Sequence, residues 1–277
     1  MPGKHDTVSE PLDRLVNEIG ASAKYRHVCE DLVRSLGTQE MNKRTDNERE
    51  MVKAVKNKLH QIGGAYLDHT PNYAAWLNDL QAAQPSNTET FQAICRRMMQ
   101  LHASTRERLP ILDSFYAEVF AALPPIHSVL DVACGFNPLA IPWMPLAPQA
   151  TYTAIDIYDD LMAFLGQSIT LCGLKPQTIA HSVLSDFPTL APCDLALVLK
   201  AVPCLEQVDK TAGARLLEQI QARYMLVSFP IHSLGGKSKG MATNYEAHFN
   251  ALVGDKPWAV QKFRYYTELA FLVTKQK

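Results

Sequence analysis

The chain has 277 residues, of which 47% are hydrophobic and 20% charged, so a core of ordinary size is available, with room for one large domain and an extension. A formal net charge of −1 excludes the overall basic signature of a nucleic-acid binder, and any RNA site has to come from local clusters of Lys and Arg. No apolar run reaches the length of a membrane span, and MPGKHDTVSEPLDRL lacks the apolar stretch of a signal peptide. The six cysteines (Cys29, Cys95, Cys134, Cys172, Cys193, Cys204) contain no C-x-x-C pair, which argues against a zinc knuckle or a disulfide framework and for a cytoplasmic protein with reduced thiols.

Residues 11 to 104 read as helices. Val28, Leu32, Val33 and Leu36 recur at helical spacing, as do Met51, Val52, Val55, Leu59 and Ile62. Gly63-Gly64 should end or bend the second of these helices. AAQPSNTET (82–90) reads as a loop, with Ser86 or Asn87 capping a helix that starts near Glu89. A helix over 111–123 leads into the stop Pro124-Pro125. Within the helical region, 42–62 carries Lys43, Arg44, Arg49, Lys53, Lys56 and Lys58 against Asp46, Glu48 and Glu50, with Lys24, Arg26, Arg96 and Arg97 elsewhere in it. Such a run is either a solvated face or a phosphate-binding one.

The pattern then changes to buried strands alternating with helices. SVLDVACG (128–135), TYTAIDI (151–157), a segment around 178–183, DLALVLK (194–200) and RYMLVSFP (223–230) read as strands, with helices over 160–172 and 205–221. This alternation implies a parallel sheet covered on both faces. VQKFRYYTELAFLVTK reads as a terminal hairpin. The expected architecture is α/β: a Rossmann-like class I methyltransferase sheet of seven strands, mainly parallel with an antiparallel terminal hairpin, over 105–277, and an all-helical N-terminal domain over 1–104.

In doubly wound sheets, ligands bind at the carboxyl ends of the strands where the strand order reverses. The first strand ends in Asp131-Val132-Ala133-Cys134-Gly135, whose small residues let backbone approach a ligand. The second ends in Asp156, a carboxylate able to accept from two ribose hydroxyls. Pro138 follows closely and no second glycine is present to cradle a pyrophosphate, which favours S-adenosylmethionine over a dinucleotide. The bland alternative is a turn glycine and an Asp156 that caps the next helix.

DVACGFNPLAIPWMPL (131–146) resembles the first motif of the 16S rRNA (guanine(1405)-N7)-methyltransferases, the aminoglycoside-resistance family. SAKYRHVC (22–29), KLHQIGGAY (58–66), LHASTRERLPILDSFY (101–116), LVLKAVPCLE (197–206) and SFPIHSLGGKSKGMATNY (228–245) are similar to further blocks of that family, in order. The resemblance implies an S-adenosylmethionine-dependent enzyme whose partner is 16S rRNA within the 30S subunit, with no metal and no membrane. It implies that Arg108 contacts the methionine carboxylate, that Ala133 and Gly135 line the cofactor, that Asp156 holds the ribose and that Ile157 packs on the adenine. Lys200 and Glu206 fall in the catalytic stretch after the fourth strand, and Lys237, Lys239, Met241 and Asn244 match a mobile basic loop. Where many members carry an Asp beside the adenine, this chain has Ser182, followed by Val183, leaving backbone groups or Asp186 for that contact. Tyr266-Thr267-Glu268 replaces the usual Gly-Asn-Glu of the hairpin, and His232 stands where Lys or Arg is usual.

Guanine N7 carries a lone pair and no proton, so its methylation requires no general base, and the enzyme supplies mainly proximity and orientation. A fixed carboxylate would stabilise the positive charge passed to the purine, and Glu206 is the candidate. In A-form RNA the N7 edge lies in a groove closed to side chains, so the base has to flip and be held against a plate. Trp143, Met144, Phe136 and Tyr245 are candidates, with Phe136 and Met144 also read as core. Lys24, Arg26, Lys53, Lys56, Lys58, Lys237 and Lys239 are the expected phosphate contacts. His60 and His102 have no second ligand at helical spacing and read as structural. Two other classes remain: a ribosome-binding protein that has kept the fold without catalysis, and a small-molecule methyltransferase, for which the basic helical extension would have no use.

Overall fold

The computed structural model describes residues 9–43, 47–67, 71–83, 88–184, 186–231 and 240–275. Three amphipathic helices, α1 (Ser9–Gly20), α2 (Glu30–Met41) and α3 (Glu48–Leu59), pack on one another through Leu15, Ile19, Leu32, Leu36, Val55 and Leu59, each 1% exposed or less. Asn47 caps α3 by accepting from the Arg49 and Glu50 backbone N–H groups. Glu48 and Glu50 in its first turn and Lys56 and Lys58 in its last suit the helix dipole. The helix runs into a π-helical turn, His60–Gly64, so the Gly63-Gly64 pair bends the chain as expected. A Cβ on Gly63 would come within 2.6 Å of the Tyr158 hydroxyl, so only glycine lets this turn press against the end of the second strand. Close by, the Cys29 N–H donates to Ile157 O at 2.8 Å. The helical region is thereby stitched to the place where a cofactor ribose is expected.

Helices α4 (Tyr73–Ala83) and α5 (Thr88–Met99) pack elsewhere, against α8 (Asp159–Leu171) and a 3-10 segment, Asn137–Trp143. Tyr73 and Trp76 sit on Phe164, and Trp76 also meets Phe136 edge-on. Both helices precede residue 104, yet they share a buried cluster with one face of the sheet. The expected caps Ser86 and Asn87 lie outside the described residues. Next come α6 (Ala103–Arg108), a 3-10 turn and α7 (Leu112–Ala121).

The seven strands are β1 (Ser128–Val132), β2 (Thr151–Asp156), β3 (Lys175–Ala180), β4 (Cys193–Leu199), β5 (Ala222–Pro230), β6 (Trp258–Arg264) and β7 (Glu268–Lys275), in the order β3-β2-β1-β4-β5-β7-β6. The first five are parallel; β7 enters antiparallel beside β5, and β6 pairs antiparallel with β7 at the outer edge. The order reverses between β1 and β4, which opens a crevice at their carboxyl ends.

The third strand starts at Lys175 rather than near 178, and Ser182 and Val183 follow it in a turn. It is an edge strand, paired only with β2, so it tolerates Pro176 and exposed polar residues and lacks the apolar signature of the others. The single helix expected over 205–221 is two, α9 (Ala201–Leu205) and α10 (Ala212–Gln219), separated where Asp209 Oδ1 accepts from both the N–H and hydroxyl of Thr211. Met241 and Asn244, matched above to a mobile loop, open a helix, α11 (Met241–Val253), which also carries Tyr245 and whose Phe249 stacks on Phe271 at 4.0 Å. Lys237, Lys239 and His232 lie outside the described residues.

Candidate active site

A cavity opens at the carboxyl ends of β1, β2 and β4 and is lined by Arg108, Asp131, Ala133, Gly135, Asp156, Ile157, Ser182, Val183 and Lys200, together with Tyr66 and His102. Of the residues expected at the cofactor, all seven lie in this wall. The β1 turn takes left-handed backbone at Ala133 (φ 50°) and Gly135 (φ 49°). A Cβ on Gly135 would meet the His102 ring at 2.8 Å, so this position needs glycine for space as well as for conformation. His102 is itself held between Phe136 and the stacked ring of Tyr66. The Asp156 carboxylate is fixed by two backbone donors, Gly135 N–H on Oδ2 at 2.8 Å and Ile157 N–H on Oδ1 at 2.7 Å.

Beneath the cavity runs a buried polar chain. Asp131 Oδ2 accepts from Tyr152 Oη at 2.7 Å and from Asn137 Nδ2 at 2.9 Å, and Asn137 Oδ1 accepts from Tyr116 Oη at 2.6 Å and Arg108 Nη1 at 2.8 Å. Arg108, 1% exposed, gives its Nε and Nη2 edge to Glu268, with the shortest bond at 2.7 Å. A guanidinium has five N–H groups. Glu268 and Asn137 take three, which leaves one each on Nη1 and Nη2. Asp131 Oδ1 is buried with no hydrogen-bond partner among the described residues, and burial pushes its carboxyl up to about 7.

Lys200, at the end of β4, also has left-handed backbone (φ 58°), fixed by its N–H donating to Ser228. Its Nζ donates to Ser104 O at 2.5 Å and to Glu107 Oε2 at 3.0 Å, with Glu268 Oε2 at 3.7 Å. Burial pulls its ammonium down, and the neighbouring carboxylates oppose that. Lys200 is thus a cavity residue, but an ion-paired one.

Glu206 is placed differently from the expectation. Its Oε2 meets His248 Nε2 at 2.8 Å and its Oε1 faces Gly213, and it is not among the residues lining the cavity. Trp143 is also turned away: its indole N–H donates to Asp113 at 2.8 Å and the Arg96 guanidinium lies over its ring. Met144 and Phe136 are core residues, 6% and 0% exposed. Tyr245 is half-buried and stacks on Phe229. Phe136 nonetheless contributes to the cavity wall, as do Tyr158 and Tyr66, whose hydroxyl sits 2.8 Å from Cys204 Sγ. At the other end, Ser182 N–H donates to Asp31 of α2 at 3.0 Å, while Asp186 is exposed and outside the wall.

The basic residues separate into free and committed groups. Lys53 is exposed and makes no ion pair with any described residue. Lys24 and Arg26 are exposed, with side-chain nitrogens against His60 and His27 respectively, and the Lys24 ammonium also lies 5.5 Å from the centre of the Tyr25 ring. Lys56 lies 3.9 Å from Glu18. Lys58 is tied to Glu40 at 2.7 Å, and Arg96 and Arg97 are bound to Asp113 and Asp79, so these three charges are partly spent within the protein.

A family described as ribosomal RNA methyltransferase (FmrO) matches residues 21–272. The chain belongs to this family. Among its relatives, the 16S rRNA (guanine(1405)-N(7))-methyltransferase of Micromonospora echinospora is 36% identical over 97% of this chain and 100% of its own, and the Serratia marcescens protein of the same name is 35% identical over 95% and 98%. The crystal structure of the 16S rRNA methyltransferase RmtF in complex with S-adenosyl-L-homocysteine is similar at a TM-score of 0.82, with 27% identity and coverage of 96% and 99%. That of the 16S rRNA methylase RmtB reaches 0.77, with 31% identity and coverage of 96% and 98%.

In this FmrO-family chain the cavity fits S-adenosylmethionine on its own geometry. Asp131 Oδ1, buried and unpaired, suits an ammonium, and the two uncommitted N–H groups of Arg108 suit a carboxylate. Asp156 at the end of β2 suits a ribose diol, and Ile157 and Val183 offer apolar surface for an adenine. Among the described residues no group of three His, Cys, Asp or Glu is placed to hold a metal, and no helix is long and apolar enough to cross a membrane.

Proposed function

We propose that this chain methylates N7 of guanine 1405 in 16S rRNA, acting on the assembled 30S subunit in the cytoplasm and so protecting the ribosome from aminoglycosides. The observation that carries the reading is the unpaired Asp131 Oδ1 set beside a guanidinium fork with two free N–H groups, in a chain that matches methyltransferases of that name from end to end. S-adenosylmethionine supplies an electrophilic methyl group on a sulfonium. Arg108 and Asp131 grip its amino-acid tail, Asp156 fixes the ribose, and Ile157 and Val183 flank the adenine. Because N7 has no proton to lose, no side chain has to act as a base, and the work of the protein is alignment.

Asp156→Ala should lower affinity for S-adenosylmethionine by about tenfold or more, as expected when bonds to a charged acceptor worth roughly 1–3 kcal/mol are removed. Calorimetry checks this. An unchanged dissociation constant would remove the ribose assignment and leave Asp156 as the anchor of Gly135 and Ile157 alone.

The exposed basic face of α3 is the proposed RNA contact, with Lys53 at its centre and Lys56, Lys24 and Arg26 beside it. Lys58 contributes less, being bound to Glu40. The double change Lys53→Glu, Lys56→Glu should weaken 30S binding without altering cofactor affinity. It should also flatten the salt dependence by roughly one unit of log–log slope for each phosphate that is no longer neutralised. Binding and slope that both survive the change would make this helix a solvated face.

A further inference from the structure

Glu107 has no role in holding the cofactor, yet its carboxylate is paired with a residue of the cavity wall, Lys200. It lies in α6, next to Arg108, and its Oε2 accepts from Lys200 Nζ at 3.0 Å. Lys200 lines the cavity with 5% of its side chain exposed, whereas the Glu107 side chain is 27% exposed and stands outside the wall. The pair therefore runs outward from the cavity, ammonium first and carboxylate second. Each has capacity to spare. An ammonium has three N–H donors. Ser104 O and Glu107 take two of them, and Glu268 Oε2 at 3.7 Å is beyond hydrogen-bond reach. Glu107 Oε1 makes no hydrogen bond with any described residue. Cys204 Sγ donates to Lys200 O at 3.2 Å and lies 2.8 Å from the Tyr66 hydroxyl, so the residue that Glu107 pairs with adjoins both of these lining residues.

A flipped base is read by hydrogen bonds to its Watson–Crick edge. Guanine presents, in sequence around the ring, N7, the O6 acceptor, the N1–H donor and the 2-amino donor. With N7 directed into the cofactor cavity, O6 falls nearest the wall and N1–H further out. The protein offers a donor and then an acceptor in that order. Adenine has a 6-amino donor and a bare N1, so it would set donor against ammonium and lone pair against carboxylate.

We propose that Lys200 and Glu107 together read the target guanine, Lys200 Nζ donating to O6 and the Glu107 carboxylate accepting from N1–H and the 2-amino group. This assignment rests on the guanine-N7 reading given above and makes Glu107 a specificity-determining residue.

The test uses the full chain, radiolabelled S-adenosylmethionine and purified bacterial 30S subunits carrying either guanine or adenine at position 1405. Glu107→Gln keeps the size of the side chain but exchanges one acceptor oxygen for an NH2 donor. Its kcat/KM on guanine subunits should fall by about 100-fold or more, since a site built to hydrogen-bond a polar edge rejects strongly when one partner is wrong. Cofactor affinity by calorimetry should stay within about twofold of the parent, and the preference for guanine over adenine should narrow by about tenfold or more. Glu107→Asp, which keeps the carboxylate, should lose less activity and retain the guanine preference, and it decides the matter if the Gln variant does not fold. Methylation of guanine subunits by Glu107→Gln within about threefold of the parent overturns the proposal. So does a parallel loss of cofactor binding, which would assign Glu107 to the cofactor cavity instead. A parent enzyme that leaves guanine subunits unmethylated defeats the underlying function, an outcome distinct from either of these.

Discussion

A susceptible bacterium expressing this chain should become highly resistant to gentamicin- and kanamycin-type drugs while staying sensitive to streptomycin, and Arg108→Lys should abolish the protection. These drugs are polycations that bind the decoding region through ammonium and hydroxyl donors. Methylation of N7 removes an acceptor and places a positive charge where a cation binds. At an effective dielectric near 20, like charges about 4 Å apart cost roughly 4 kcal/mol, and about 1.4 kcal/mol already changes affinity tenfold. The choice of Lys over Ala follows from the packing. Arg108 is bound to the fully buried Glu268, so deleting it would leave a carboxylate deprived of its main partner and blur loss of function with loss of fold. Lysine keeps the charge but not the fork. With two hydrogen bonds to the cofactor carboxylate gone, affinity for S-adenosylmethionine should fall by about 100-fold or more. Minimal inhibitory concentrations, read beside a thermal melt, check this. A folded Arg108→Lys variant that still protects cells would show that resistance does not depend on the site described above.

Glu268→Ala should be the most destabilising single change in the buried polar chain beneath the cavity. Glu268 is fully buried and holds one edge of Arg108, accepting from Nε and Nη2, with Lys200 at 3.7 Å. Those cations hold its carboxyl below its ordinary range against the opposing effect of burial. Removing one partner of a buried pair costs about 3–5 kcal/mol, because the remaining charge is stranded away from water. For a chain of this size that corresponds to a drop in melting temperature of roughly 6–15 °C. A melt within about 2 °C of the parent would show that Arg108 and Lys200 find other partners. The sign also gives a pH dependence. A carboxyl whose folded pKa is depressed stabilises the protein above its unfolded pKa, and that stability is lost as pH falls through the folded value.

The parts of the molecule legible in sequence are those whose environment is local. Four parallel strands announced themselves as continuous apolar runs because both faces of the sheet are covered, and Gly135 and Asp156 because strand ends at a topological switch point have a fixed use. The start of the edge strand β3 is not legible, because Lys175, Pro176 and Gln177 face solvent and show no apolar pattern. The gap between α9 and α10 rests on the Asp209–Thr211 turn, which interrupts an otherwise helical run. Side-chain direction is not written in local sequence. Glu206, Trp143 and Lys58 had the right chemistry, but each is turned to a partner from a distant segment, His248, Asp113 and Glu40 respectively. Conversely, Glu268 is joined to Arg108 across 160 positions of chain, and no local pattern shows such a pairing. One signal was present: an acid at the head of the apolar run ELAFLV, which buries its charge and therefore requires a cationic partner. Tyr66 and His102 owe their place in the wall to the π-helical turn and to the fit of His102 over Gly135, both consequences of packing.

The central claim is methyl transfer to one atom of one nucleotide. It is tested most directly by mass spectrometry of 16S rRNA fragments from cells expressing the chain, with reverse-transcription mapping of the modified position. The account predicts a single added methyl group at N7 of guanine 1405, absent from cells carrying the Arg108→Lys variant. An unmodified guanine 1405, or a methyl group at another nucleotide, would contradict it.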